Sequence, residues 1–152
     1  MSTTAAAPPS LTLTFWQWTL LALVLWREAR GCGYAEKVAI AHVIANRATD
    51  PHGRWPKSIA QVICQPAQFS SMAPPPGSTG AVAQNAVTWP KDGDPHFLEC
   101  CQIADDFADG SEPPDATYGA TNYYSEPISE IPNWADAHKQ TVQIGVFKFF
   151  KL

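Results

Sequence analysis

Glu28 is the only carboxylate in the first thirty-five residues of this sequence, and it closes the most apolar run in the chain, within Trp26-Arg27-Glu28-Ala29-Arg30-Gly31. Counting back at helical spacing meets Val24 and Leu25, then Leu20 and Leu21, then Trp18 and Phe15. In a helix over about residues 14–30 the carboxyl therefore lies on, or at the edge of, the face that must be buried. A carboxyl placed there loses water, which favours its protonated form, the form a general acid near neutral pH needs. Neighbouring Arg27 and Arg30 equally offer Glu28 an ordinary ion pair, so this stretch alone leaves both readings open.

Other reactive combinations have less behind them. His96 with Cys100 and Cys101 matches no standard zinc spacing, and Cys32 with His42 carries no thiol-protease signature. His42 reads as a core histidine. No metal and no cofactor are expected.

The elements that would position Glu28 follow from the patterning. Ser10 or Thr14 can cap the first helix, which should stop at Gly31-Cys32-Gly33. A second helix over about Tyr34–Arg47 has a broad small-and-apolar face, and so short a turn should pack the two as a hairpin with Glu28 beside it. Ser58 can cap a short helix through Cys64. A weak helix is expected over Gly80–Trp89, and a stronger one starts at Asp94-Pro95 and ends before Gly110. Thr117–Tyr124 and Thr141–Phe150 are aromatic and β-branched, as strands are. Between them, a stretch with Pro127, Pro132 and Trp134 reads as a loop or lid. Helices first and strands last predict an α+β fold with a small C-terminal antiparallel sheet.

Composition sets the limits. The 152 residues suffice for one domain, and 45% apolar against 16% charged residues excludes a disordered polyelectrolyte. A net charge of -4 without a basic cluster argues against nucleic acid. Four cysteines, two of them adjacent, make a poor disulfide framework and read as mostly free, buried thiols. Residues 1–10 read as a flexible leader with no positive charge, unlike a Sec-type signal peptide. Leu11–Trp26 includes Thr12, Thr14, Gln17 and Thr19 and is short for a membrane span, so a buried core helix is expected and no stable membrane insertion.

Taken together, the motifs resemble the SleB-type cell-wall hydrolase family. The resemblance rests on Glu28-Ala29-Arg30-Gly31, Val38-Ala39 through Asn46-Arg47, Trp55-Pro56-Lys57-Ser58-Ile59, Val62-Ile63, Gln68-Phe69-Ser70, Gly119 to Tyr124, Pro132-Asn133-Trp134 and Ile144-Gly145. It covers about residues 20–150. The family includes spore-cortex-lytic enzymes and phage lysins, so the resemblance implies a lysozyme-like fold and a single catalytic domain over residues 11–152. It also implies that peptidoglycan glycan strands are cut at the β-1,4 bond between N-acetylmuramic acid and N-acetylglucosamine. Glu28 maps onto the family's catalytic glutamate. Two departures stand out: Cys32 replaces an acidic residue found in many members, and the closing Ile-Gly-x-His-x-Phe-Tyr pattern has Phe147 and Phe150 in place of its histidine and tyrosine.

The resemblance further implies Gln68, Tyr118, Tyr123, Trp134 and Asn46 as substrate-binding candidates. Alternation along a strand sends Tyr123 and Tyr124 to opposite faces, which favours Tyr123 for the cleft. Trp134 suits a sugar platform or an anchor for its own loop. Phe69 reads as core, Asn46 as holding structure near the cleft, and Arg47 as pairing with a carboxylate. The expected protein is a monomeric phage-type endolysin, made in the cytoplasm and acting on the wall after release, with lytic transglycosylase chemistry. The alternatives are a hydrolase using Asp115, Glu126 or Asp136 to activate water, a catalytically silent glycan-binding or virion protein, and a membrane-disrupting protein acting through residues 11–26.

Overall fold

Apolar spacing and a strong cap together set the first helix. The computed structural model describes residues 12–152, so the leader expected at 1–10 and the alternative cap Ser10 lie outside it. Helix α1 runs Phe15–Ala29, and Thr14 closes a capping box with Gln17. Leu21, Val24 and Leu25 are fully buried, and each contributes about 2 kcal/mol of apolar transfer. Helix α2, Tyr34–Ala48, follows directly. The hairpin with α1 forms, but the main partner of α1 is α5, Pro95–Asp109. Two indole hydrogen bonds fix that packing: Trp18 Nε1 donates to Asp105 at 2.7 Å, and Trp26 Nε1 to Asp94 at 3.1 Å. Asp94 also caps α5, and Gly110 ends it at φ 78°.

Short helices α3, Ile59–Ile63, and α4, Gly80–Val87, lie between these. Ser58 caps α3 as expected. A feature absent from the sequence reading is Lys37, fully buried on α2, whose Nζ lies 2.7 Å from Glu99 on α5. Its long stem fills core space while the exposed half of Glu99 keeps the pair in touch with water.

The sheet is antiparallel with order β1-β3-β2, where β1 is Asn122–Ser125, β2 Gln140–Ile144 and β3 Phe147–Phe150. Two strand expectations need correction. Thr117–Gly119 is loop, because Asp115 gathers its backbone and side chains. Thr141–Phe150 is a hairpin, because Gly145 adopts φ 56° and reverses the chain. Register places Tyr123 opposite Phe149 and Ser125 opposite Phe147. Phe147 and Phe149 are buried in the helical core, which aims Tyr123 at the end of α1. Tyr124 and Phe150 lie on the other face, where Trp134 covers them.

All four cysteines are free. Only Cys100 is fully buried, however, and Cys64 is exposed, because α3 ends before it.

Candidate active site

Glu28 stands one residue before the end of α1, partly buried, with a hydroxyl on each carboxylate oxygen. Tyr123 OH donates to Oε2 at 2.8 Å, and Ser71 Oγ donates to Oε1 at 2.5 Å. The sheet register supplies Tyr123. Ser71 comes from the loop after α3, which turns at Ala67 (φ 60°) and is closed by the Ala67 amide donating to Ala73 O at 3.0 Å. Phe69 pins that loop into the core, as expected. Arg27 clamps it from the other side, donating from Nη1 to Ser71 O at 3.0 Å and from Nε to Thr88 O at 3.0 Å.

Glu28 opens onto a cleft of about 370 Å³ that also exposes Gln68, Ser70, Asn122, Tyr123, Ser125 and Trp134. Gln68, Tyr123 and Trp134 border the same cleft as Glu28. Trp134 borders the cleft while packing on Phe150 at 5.5 Å. Tyr118 is a correction. It is 71% exposed at φ 56° in the loop before β1 and does not border this cleft. Asn46 does not border this cleft and is corrected as a substrate contact; its Nδ2 donates to Asp115 at 3.0 Å and to Ala120 O at 2.9 Å, the structural role also expected of it. It steadies the loop that leads into β1.

Burial raises the Tyr123 phenol well above its ordinary value, with the adjacent Glu28 charge and the hydrogen bond it gives Glu28 acting the same way; Arg47 opposes them. Tyr123 therefore stays a donor across the neutral range. Arg47 borders the cleft and donates from Nε to Thr121 O at 2.6 Å, its guanidinium packed on Phe69. Burial lowers its pKa, while the Tyr123 and Glu28 charges offset part of that. The carboxylate partner expected for Arg47 is not within ion-pair distance among the described residues. Its charge instead serves the Glu28–Tyr123 pair at longer range.

Ser71 is the contact that sequence reasoning missed. The Gln-Phe-Ser run ends one residue earlier, and only the turn at Ala67 and the Arg27 clamp reveal that the second hydroxyl, not the first, reaches Glu28.

Among residues bordering the cleft, Glu28 is the sole carboxylate. Asp115 is engaged by Thr117, Gly119 and Asn46. Glu126 pairs with Lys148 at 2.6 Å, and Asp136 caps the 3₁₀ turn Ala137–Lys139. The arrangement is one carboxyl, held by two donors, on a cleft whose amides, hydroxyls and aromatics suit a carbohydrate.

A family model described as Cell Wall Hydrolase matches residues 31–150. The chain belongs to the cell wall hydrolase family. That makes it a peptidoglycan-lytic enzyme. The matched span starts three residues after Glu28, so the assignment is independent of the acid itself. Among solved structures, the chain resembles the catalytic domain of the Bacillus cereus SleB protein at 23% identity and TM-score 0.66, covering 97% of this chain and 100% of that one. The catalytic domain of the germination-specific lytic transglycosylase SleB from Bacillus anthracis is similar at 23% identity and TM-score 0.66, covering 95% and 100%. These likenesses establish a shared lysozyme-like fold. No curated protein matches the sequence.

Proposed function

We propose that this enzyme is a lytic transglycosylase that cleaves the β-1,4 bond between N-acetylmuramic acid and N-acetylglucosamine, with Glu28 as its acid and base. The observation that carries the reading is that Glu28 has no carboxylate partner in the cleft. A two-carboxylate hydrolase needs a second acid about 5–9.5 Å away to act as nucleophile or base. A transglycosylase does not.

In the first half, Glu28 gives its proton to the glycosidic oxygen as the bond from that oxygen to C1 breaks. Charge builds on the sugar ring and on the Glu28 carboxylate together. Tyr123 and Ser71 donate to that carboxylate as it forms, so their hydrogen bonds strengthen where the barrier lies. In the second half, the muramoyl 6-hydroxyl bonds to C1 and returns its proton to Glu28. The product carries a 1,6-anhydro end, no water is consumed, and the acid is regenerated.

The surroundings fit a polymer. The Glu28 cleft shares Ile128 with a hollow of about 490 Å³ at Glu126–Ile131 and Gly145, and shares Ser70 with one of about 530 Å³ beside α4. Each hollow thus shares a wall residue with the Glu28 cleft, room that a glycan strand longer than two sugars would use.

The test is mass spectrometry of muropeptides released from purified peptidoglycan. Anhydro ends are expected, and reducing ends would replace the transglycosylase with a hydrolase. Deployment as an endolysin, made in the cytoplasm and reaching the wall after release, belongs to the same proposal, and its support is that the SleB-type family it resembles includes phage lysins. Expression inside a bacterial host, alone and with a membrane-permeabilising protein, tests it; lysis only in the second case is expected.

A further inference from the structure

Arg27 on α1 and Arg30, the C-cap of that helix, are unmatched by acid among the described residues. Arg27 and Arg30 are three residues apart and so share a helix face. Both border the 530 Å³ hollow next to Ser70, together with Gln84, Asn85 and Thr88. Among the described residues neither has a carboxylate within ion-pair distance, although the chain as a whole carries a net charge of -4. Both guanidiniums are held rigid. Arg27 is buried and bound to Ser71 O and Thr88 O. Arg30 lies 4.1 Å from the centre of the Trp26 ring and donates from Nη2 to Asn85 Oδ1 at 2.9 Å. Among the described residues the remaining Arg30 donors, Nε and Nη1, have no protein acceptor, and they are not sealed from solvent. Holding two like charges together is unfavourable: burial first, then the Arg30 charge, lowers the Arg27 pKa. A bound anion would relieve both effects.

The hollow is also placed to meet substrate. Ser71 links the two sites, giving its hydroxyl to Glu28 and its carbonyl to Arg27. Arg27 and Glu28 are successive residues that both bond Ser71, and the hollow and the Glu28 cleft share Ser70 as a wall. An anion in the hollow is then carried by a sugar close to the scissile bond. In peptidoglycan the anionic substituent is the muramoyl lactyl group, which bears either a free carboxylate or a stem peptide ending in carboxylates.

We propose that the Arg27–Arg30 hollow is an anion subsite that reads the carboxylates of the stem peptide on the muramic acid beside the cleavage point. The inference rests on the peptidoglycan-cleaving reading of the Glu28 cleft. It makes the enzyme selective for peptide-bearing, charged strands over neutral ones, with Arg30 as the accessible determinant and Arg27 as the residue that holds the hollow against the catalytic loop.

The test compares kcat/KM on three preparations of one peptidoglycan. The first has free stem carboxylates, the second has them converted to methylamides with carbodiimide, and the third has been trimmed by an amidase to the lactyl carboxylate. Wild type is expected to cut the first about tenfold faster than the second, as a charge-assisted hydrogen bond predicts. In Arg30→Gln that ratio should fall to about one, whereas Arg30→Lys should keep part of it. Equal wild-type rates on the first two preparations would overturn the proposal. A trimmed strand cut as fast as the first would move the recognised anion from the stem to the lactyl group and overturn the stem assignment. No cleavage of any preparation by wild type would instead refute the reading of the Glu28 cleft on which this rests. Thermal denaturation of Arg30→Gln separates lost recognition from lost folding, since a merely structural arginine would lower all three rates together.

Discussion

Replacing Tyr123 with Phe removes one oxygen from the site and leaves the ring in place. The ring packs against Phe147 with centroids 5.5 Å apart and against Phe149 at 5.8 Å, and neither contact uses the hydroxyl. What disappears is the 2.8 Å hydrogen bond to Glu28 Oε2. A hydrogen bond to a charged group contributes about 1.5–3 kcal/mol, and about 1.4 kcal/mol corresponds to a factor of ten in rate. Because the bond tightens as the carboxylate forms in the transition state, kcat should fall roughly 10- to 100-fold with little change in KM. Folding should lose less than about 1 kcal/mol, since Oε2 faces a cleft that water can enter. The assay is muropeptide release from purified peptidoglycan at several substrate concentrations, paired with thermal denaturation. A kcat within about twofold of wild type would refute the assigned role. So would a stability loss large enough to account for the lower rate.

Three further outcomes follow from other parts of the structure. Burial works to raise the Asp115 carboxyl, but hydrogen bonds from Thr117, Asn46 and Gly119 outweigh it and hold the group below its ordinary range. The unfolded chain therefore takes up a proton first, so this group stabilises the fold above about pH 4 and that contribution is lost as pH falls through the lower folded value. Denaturation of Asp115→Asn against wild type should show the variant with a smaller loss of stability on acidification; parallel curves would contradict the assignment. Gly145→Ala should destabilise by roughly 1–2 kcal/mol for the left-handed backbone alone, and more because its new Cβ meets the Glu36 carboxyl. Adding Glu36→Ala should recover only the second part in urea titrations. Cysteine alkylation at about pH 8 should modify exposed Cys64 at once and Cys100 only on unfolding, since burial pushes that thiol up to about 12.

Helices were legible in this chain because each one carries its own signal. Thr14, Ser58 and the Asp94-Pro95 pair mark starts, Gly110 marks a stop, and the spacing of Leu21, Val24 and Leu25 marks the buried face. Strands were legible only as regions, because their boundaries depend on partners. Thr117 looks like strand by residue type, but Asp115 offers its backbone a better set of hydrogen bonds. Phe147 to Phe150 reads as the continuation of Thr141 to Ile144 until Gly145 turns the chain. The site divides in the same way. Glu28 stood out as a carboxylate closing an apolar helix and became the candidate acid through the family resemblance, while alternation favoured Tyr123 for the cleft that the two now share. Ser71 could not be found, since its place comes from a loop whose geometry is set by Arg27, forty-four residues earlier. Nor could the isolation of Arg27 and Arg30 from acid, which is a property of the folded surface.

Glu28→Gln puts the central claim most directly at risk, because it keeps the shape of the side chain and removes its ability to give and take a proton. Wild-type enzyme and this variant, both confirmed folded by circular dichroism and both retained on purified peptidoglycan, are each incubated with that peptidoglycan, and the soluble products are weighed by mass spectrometry. Wild type should release muropeptides with 1,6-anhydro ends, and Glu28→Gln none. Anhydro products released by the variant at the wild-type rate would contradict the claim, since the proton would then be moving through some other group.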